Sequence, residues 1–287
     1  MRLKKLDKIL NKREIIFFKE LIFRFKDDNV TAIGAQLSYY LILSIFPFLI
    51  FFLNILSFTP LVREDVLQSI IAVLPLETQN IITNLVMDTI RNSSETLLSF
   101  GAITGIWAAS KGIMALIRAI NKAYDVEETR SYIELRLLAI IFTLALLILL
   151  TIVLLTIVFG ELIGLRIVRF LGLTLNFMIF WEYFRVIISI SSMILIFALL
   201  FRFSPSLRNG NTIHFKDTLP GAIFSSVGWI ITSTMFSYYV NNFANYTRTY
   251  GSLGGMMVLL IWLYLSSIIV VMGGEINATI ESMKKDI

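Results

Sequence analysis

The sequence has no cysteine and a single histidine, His214, and both scarcities narrow the chemistry open to it. Without cysteine there is no disulfide framework, no thiolate zinc site and no cysteine nucleophile. One histidine excludes paired catalytic histidines and histidine-rich metal sites. Charge is also scarce, because 16% of the residues are charged against about 25% in soluble proteins. These absences argue against most hydrolytic enzymes and against a water-soluble fold.

Apolar residues are abundant instead, at 57% of the 287 residues, and a soluble sphere of this size could not bury them. Six continuous apolar stretches are long enough to cross a bilayer core of about 30 Å as helices. They lie at 30–58, 97–120, 135–159, 186–203, 220–243 and 251–280. The sequence therefore predicts an all-α polytopic membrane protein with six transmembrane helices. We expect a basic amphipathic helix at 1–29, the transmembrane domain at 30–280 with an extracytoplasmic helical hairpin at 61–94, and a tail at 281–287.

The distribution of lysine and arginine predicts the orientation of these spans. Nineteen of the 25 basic residues fall on the side that holds both termini, and six fall on the other side. By the positive-inside rule, both termini and the 281–287 tail are expected to be cytoplasmic. The net charge of +5 then belongs to the cytoplasmic face and calls for no nucleic acid. The first apolar run begins at Val30 and is too long for a signal core, so we expect it to be a retained span.

The segment before the first span has the pattern of an amphipathic helix. Its apolar positions are Ile15, Phe18, Ile22 and Phe25, and a separate line carries Lys12, Lys19 and Lys26. Such a helix suits the surface of an anionic cytoplasmic leaflet. It would equally serve as a cytosolic cap packed on the protein.

Several charged residues lie within or at the ends of predicted spans. Lys111 is about 12 Å deeper than Ala119 on the second span, where an ammonium costs about 2.5–3.5 kcal/mol. Glu275, near the end of the sixth span with Asn277, is its expected partner by charge. A structural ion pair or a snorkelling lysine would explain this arrangement. The functional alternative is a site for an anionic headgroup formed by Lys111 and Arg118, or a gate.

Two spans are unusually polar or kinked. The fifth carries many hydroxyl groups, among them Ser226, Ser233 and Ser237, which indicate either interhelical hydrogen bonds or a polar-lined cavity. The first span has Gln36 and Tyr39 near Pro47, which is expected to kink it. The second span has a stripe of small residues that favours close helix packing, formed by Gly101, Gly105, Ala108, Gly112, Ala115 and Ala119.

No catalytic pattern is present. The sequence lacks GxSxG, HExxH, Walker A and GxGxxG motifs. His214 near Asp217 has the pattern of a solvated loop histidine, and the acidic pairs 27–28, 64–65 and 127–128 have that of solvated loop charges. We therefore expect no enzymatic activity, no cofactor and no metal.

Four stretches together resemble the YihY/virulence factor BrkB family. They are 29–48 (NVTAIGAQLSYYLILSIFPF), 106–124 (IWAASKGIMALIRAINKAY), 219–228 (LPGAIFSSVG) and 250–278 (YGSLGGMMVLLIWLYLSSIIVVMGGEINA). The resemblance implies a six-helix protein of the bacterial inner membrane and supplies no catalytic residues. Some members once carried a ribonuclease label that is regarded as mistaken. Members are connected with resistance to serum killing and, in one branch, with export of an envelope glycolipid.

Two hypotheses of function follow. In the first, the protein is transporter-like and moves or guides an amphiphilic envelope lipid, with membrane lipids, possibly anionic, as partners. In the second, it is a non-transporting scaffold that docks envelope-assembly partners or copies of itself. A polar cavity open to one side would favour the first, and a solid bundle with exposed small-residue grooves would favour the second.

Overall fold

A computed structural model of the protein describes residues 13–57, 95–158, 176–207, 213–243 and 253–285. These residues form helices and no strands, so the all-α prediction is confirmed for the part of the chain described. Seven helices follow in order: α1 (Arg13–Asp27), α2 (Val30–Ser57), α3 (Glu95–Ala123), α4 (Tyr132–Val158), α5 (Asn176–Phe203), α6 (Phe215–Phe243) and α7 (Gly254–Lys285).

Five of these helices are long and apolar enough to cross a membrane. The segments are Ser99–Ala123, Tyr132–Leu149, Phe180–Phe203, Phe215–Asn242 and Gly254–Lys284. The expected first span corresponds to α2, a helix of 28 residues that continues through Pro47, in which Val30–Ile45 counts as a shorter apolar helix. Six spans and the side of the termini thus stay predictions, as does a kink at Pro47. The 61–94 hairpin lies outside the described residues.

The chain divides into two compact units. The first comprises Met1–Ser38 and Gly112–Ile287. Its core lies where α3, α5 and α7 meet, and its most completely buried side chains include Ile117, Ile120, Leu200, Phe201 and Val271. These units do not correspond to the predicted segments 1–29, 30–280 and 281–287, which remain a prediction.

The second unit is Tyr39–Lys111. Its described residues are the end of α2 and the start of α3. Hydroxyl groups here bond the backbone of their own helix, as Ser44 does to Leu41 and Thr104 does to Phe100. Such bonds allow a hydroxyl to lie in an apolar helix at little cost.

The outward face of α4 is apolar from Ile133 to Ile148. Ile133, Leu137, Ile141, Leu144 and Ile148 are all exposed, at the three- and four-residue spacing of one helix face. A soluble protein rarely exposes so continuous an apolar surface. This face therefore fits contact with lipid, in agreement with the five long apolar helices.

The ends of α1 and α3 cap each other. Each helix is followed by a residue in the left-handed conformation, Asn29 and Asp125, which ends it. The Arg24 guanidinium donates to the Ala123 carbonyl at 2.6 Å, and the Lys122 ammonium donates to the Asp27 carbonyl at 3.1 Å. A cation at a helix C-terminus satisfies carbonyls that lack a helical partner and complements the helix dipole. These two contacts, the reciprocal caps, fasten α1 to the bundle.

Helix α1 has one face packed on the protein and one exposed apolar face. Arg24 is buried against the bundle, whereas Phe18, Ile22 and Phe23 are exposed. The helix thus packs on the protein and still presents an apolar face outward.

Candidate functional site

Helices α6 and α7 run antiparallel, and glycines set their closest contact. A side chain at Gly221 would overlap the Gly273 carbonyl, and one at Gly273 would overlap the Ser225 hydroxyl. Small residues allow helix backbones to approach in this way. The N-terminal half of α6 is thus joined to the C-terminal half of α7 without space for a ligand; we call this region the glycine contact.

Asn277 bridges the two helices at the glycine contact. Its Oδ1 accepts the Gly221 N–H at 2.7 Å, and its Nδ2 donates to the Thr218 carbonyl at 3.0 Å. The side chain is buried. The amide of this predicted site residue is therefore engaged by backbone groups of α6.

Farther along the same pair, tryptophan and serine replace glycine. Trp229 Nε1 donates to the Ser266 hydroxyl, and Trp262 Nε1 donates to the Ser233 hydroxyl, both at 3.1 Å. The two indole rings meet edge to face with centroids 5.8 Å apart. Here side chains, and not backbone atoms, make the contact between the two helices.

A crevice opens beyond the tryptophans, between the C-terminal half of α6 and the N-terminal half of α7. Its volume is about 330 Å³. Its lining mixes hydroxyl and amide groups with apolar side chains: Ser233, Phe236, Ser237, Val240, Asn241, Gly255, Val258, Leu259 and Trp262. We call it the serine crevice. Two of the predicted site residues, Ser233 and Ser237, are brought together here.

Glu275 lies on α7 within the buried end of the first unit. It has no exposed surface, and neither carboxylate oxygen has a hydrogen-bond partner among the described residues. Lys111, its expected partner, is exposed and belongs to the second unit. Their pairing stays a prediction.

An acidic pocket of about 400 Å³ lies where α1 and α3 end. Arg118 and Lys122 line it with Asn121 and Val126, but so do five carboxylates, those of Asp27, Asp28, Asp125, Glu127 and Glu128. The predicted site residue Arg118 thus lies in a pocket whose balance of charge is negative. This lining does not favour an anionic headgroup.

A hydrogen-bond network behind this pocket joins the α3–α4 loop to the end of α5. Asn121 donates to Glu128 and accepts the Ser206 N–H, both at 2.7 Å. Glu128 also receives two side-chain hydrogen bonds from Arg130 at 2.7 Å. Burial raises the pKa of Glu128, but the hydrogen bonds and charge of Arg130 outweigh it and hold that pKa below its usual value.

The acidic pairs are therefore not uniformly solvated. The prediction holds for Glu127, which is exposed, and is wrong for Glu128. It is also wrong for Asp28, which is buried and pairs with Lys122 at 3.5 Å. Burial raises the pKa of Asp28 despite that cation. The nearby Tyr124 is similar, because burial and then the charges of Glu281 and Asp217 raise its pKa.

The remaining predicted residues are dispersed. Ser226 is buried and donates to the Ala222 carbonyl of its own helix. Gln36 is exposed on the part of α2 in the first unit, while Tyr39, exposed, and Pro47, half-buried, belong to the second unit. His214 is exposed, as a loop histidine was expected to be.

The sequence is similar to a known protein family and to several bacterial proteins. The model of the family described as virulence factor BrkB matches residues 21–286. The chain belongs to the virulence factor BrkB family. Its relatives include the ribonuclease-like protein YfkH of Bacillus subtilis, 40% identical over 269 residues, which are 94% of this chain and 96% of that one. A UPF0761 membrane protein of Alteromonas mediterranea is 26% identical over 275 residues, 92% of this chain and 87% of the relative.

Vibrio atlanticus has another UPF0761 membrane protein, 27% identical over 274 residues, 93% of this chain and 82% of the relative. No solved structure matches the chain. Membership of the BrkB family and the apolar helices together make this a bacterial membrane protein. The stretch 250–278 that carried the resemblance supplies Gly273 and Asn277 of the glycine contact, Trp262 of the serine crevice, and Glu275.

Sequence reasoning missed Arg24, Glu128, Arg130 and Ser206. A carboxylate two residues before an arginine, in a short loop between two spans, was the available signal for Glu128 and Arg130. Arg24 had none, because its contact with Ala123 joins positions 99 residues apart.

Proposed function

We propose that this BrkB-family membrane protein is transporter-like and guides an amphiphilic, lipid-like envelope molecule, without catalysing a reaction. The observation that carries the proposal is the serine crevice, an open crevice of about 330 Å³ between two helices long enough to span a membrane. Ligand pockets are usually concave, largely apolar and supplied with a few placed polar groups.

The lining of the serine crevice suits a molecule with both polar and apolar parts. Ser233, Ser237 and Asn241 provide hydrogen-bonding groups, while Phe236 and Leu259 provide apolar surface. An acyl chain would be accepted by the apolar wall, and a hydroxylated or amide-bearing headgroup by the polar wall. So much apolar lining does not suit a small ion, which needs polar groups to replace its water.

The acidic pocket does not take part in this proposal. Five carboxylates surround Arg118 and Lys122 there, so an anionic headgroup would meet repulsion as well as attraction. The substrate class that the serine crevice favours is therefore a polar headgroup defined by hydrogen bonding, whatever its net charge.

A scaffold role would need exposed docking faces. The small-residue stripe of α3 is a poor candidate, because Gly101, Gly105, Gly112 and Ala119 are all buried. The crevice therefore carries more weight than the stripe.

Movement of labelled lipids in reconstituted vesicles tests the proposal. Full-length protein is compared with a Ser233→Leu/Ser237→Leu variant, which fills the serine crevice and removes its hydroxyls. We expect the variant to move lipid at least about tenfold more slowly, a loss of about 1.4 kcal/mol. Thr234→Val is the matched control, since Thr234 is exposed and bonds Ile230 of its own helix.

The panel should include phospholipids and glycolipids with neutral and anionic headgroups. If the unaltered protein moves none of them faster than empty vesicles do, the transporter proposal is wrong. Equal rates for the double variant and Thr234→Val would remove the crevice from the mechanism.

A further inference from the structure

Glu275 is the most deeply buried carboxyl group among the described residues, and the proposed function gives it no role. It has no exposed surface, and both oxygens lack a hydrogen-bond partner in the described part of the chain. Thr279 lies one helical turn farther along α7, is also fully buried, and its hydroxyl too has no partner there. Residues four apart share a helix face, so an acid and a hydroxyl occupy one buried polar strip.

Apolar groups lie on the adjoining side of α7. A side chain at Gly274, next to Glu275, would meet Ile120 of α3 at 3.3 Å and Phe201 of α5 at 3.8 Å. Both of these side chains are themselves fully buried. An ionised carboxylate in such surroundings loses its hydration without compensation.

The charged groups near Glu275 form hydrogen bonds or ion pairs with other groups. From α1 and its end come Arg24, which bonds Glu20 and the Ala123 carbonyl, and Asp28. From the end of α3 come Lys122, which pairs with Asp28, and Asp125.

The facing ends of α6 and α7 bring Asp217 and Lys284, which pair with each other, together with Glu281. No described cation of the first unit therefore donates a hydrogen bond to Glu275. The two nearby acids, Asp28 and Asp125, would repel a second negative charge.

We infer that Glu275 is a proton-binding site inside the bundle, protonated in the conformation described. The carboxyl would ionise, giving its proton to water, when the ends of α1 and α3 separate from α7 and water, Arg24 or Lys122 reaches it. Binding and release of this proton would then be linked to a change of conformation. The idea that this proton drives lipid movement rests on the proposed function, whereas the site itself does not.

Infrared spectroscopy of the full-length protein tests the site directly. We expect the carbonyl stretch of a protonated carboxyl at about pH 7, where an exposed glutamate is ionised. The band should be absent in Glu275→Gln and present in Glu281→Gln, the matched control on the same helix. Identical bands in unaltered protein and Glu275→Gln would overturn the assignment.

A measurement on the unaltered protein covers the case in which Glu275→Gln does not fold. Carbon-13 labelling of glutamate alone should shift the protonated band. If no band at about pH 7 moves with this label, no glutamate is protonated and the inference is wrong.

Transport in vesicles then tests coupling separately. A pH difference of about one unit should change lipid accumulation by up to about tenfold for one coupled proton. We expect Glu275→Gln to lose this dependence and Glu281→Gln to keep it. Lipid accumulation that does not depend on the pH difference would refute the coupling. If the unaltered protein moves no lipid, the proposed function fails while the infrared result still decides the proton site.

Discussion

At Gly221 the backbone of α6 lies against the Gly273 carbonyl and the Asn277 amide, so even a methyl group meets occupied space. We expect Gly221→Ala to lower the free energy of unfolding by about 1–3 kcal/mol, the usual cost of overpacking. Thermal unfolding in detergent measures it. Gly255→Ala is the control, because nothing lies within 4 Å of its added methyl group. Equal stability of the two variants would mean that α6 and α7 are not in this contact.

Glu128 should make stability depend on pH in the acidic range. Because its pKa is lowered in the folded protein, its contribution is fully present above the unfolded value of about 4.3 and is lost as the pH falls through the folded pKa. We expect Glu128→Gln to lower the unfolding temperature at about pH 7 and to flatten the acid-induced decline. The neighbouring exposed residue provides the control, Glu127→Gln. A decline identical in all three proteins would contradict the Glu128–Arg130 pair.

Prediction from sequence was uneven among single residues. Glu275 and Asn277 could be singled out, because polar groups near the end of an apolar span are costly and need a reason to be there. Their surroundings could not be predicted, since the backbone partners of Asn277 lie 56 and 59 residues away. Glu128 was missed because its burial depends on how the α3–α4 loop folds back on Asn121.

At the scale of elements, the reciprocal caps should control how firmly α1 is held. Arg24 donates to the C-terminal carbonyl of α3 and also bonds Glu20 and Asp125. We expect Arg24→Ala to speed amide hydrogen exchange throughout α1 by about five- to thirtyfold, equivalent to about 1–2 kcal/mol. Exchange in α6 should not change, and the exposed Lys26→Ala should behave as the unaltered protein. Protection of α1 that survives Arg24→Ala would show that the caps do not hold it.

The polar α6 helix shows why an element can be predicted better than its role. Gly221 and Gly228 provide a close contact of this helix with α7. The same sequence left packing and a polar-lined cavity as alternatives, and the structure has a packed contact in one half of the helix and an open crevice in the other. Choosing between them needs the antiparallel pairing of Ser233 with Trp262, which no local pattern contains.

At the scale of the whole molecule, orientation can be tested because the chain contains no cysteine. Glu127→Cys is expected on the cytoplasmic side and Asn92→Cys on the opposite side. A membrane-impermeant maleimide should label Asn92→Cys in intact spheroplasts and Glu127→Cys only after permeabilisation. The reverse pattern would overturn the predicted orientation, and labelling of both in intact cells would overturn the number of crossings between them.

The membrane character of the molecule was readable from composition alone, since 57% apolar residues leave little choice. The exposed apolar side chains of α4 agree with it. The division into two units was not predictable, because it cuts α2 and α3 within continuous helices, at Ser38 and Gly112. Hydropathy indicates whether a segment lies in lipid or in water, but it does not indicate which segments pack together.

The glycine contact sets a limit on any path along α6 and α7. A headgroup that enters the serine crevice cannot slide past Gly221 and Gly273, where not even one methyl group fits. Passage straight along this contact is closed in the conformation described, so the cargo of the proposed transporter would have to move toward a neighbouring helix or wait until α6 and α7 separate. Backbone atoms make the contact of the two helices at Gly221 and Gly273, whereas tryptophan and serine side chains make it farther along, so any separation that opens a path has to break the glycine contact.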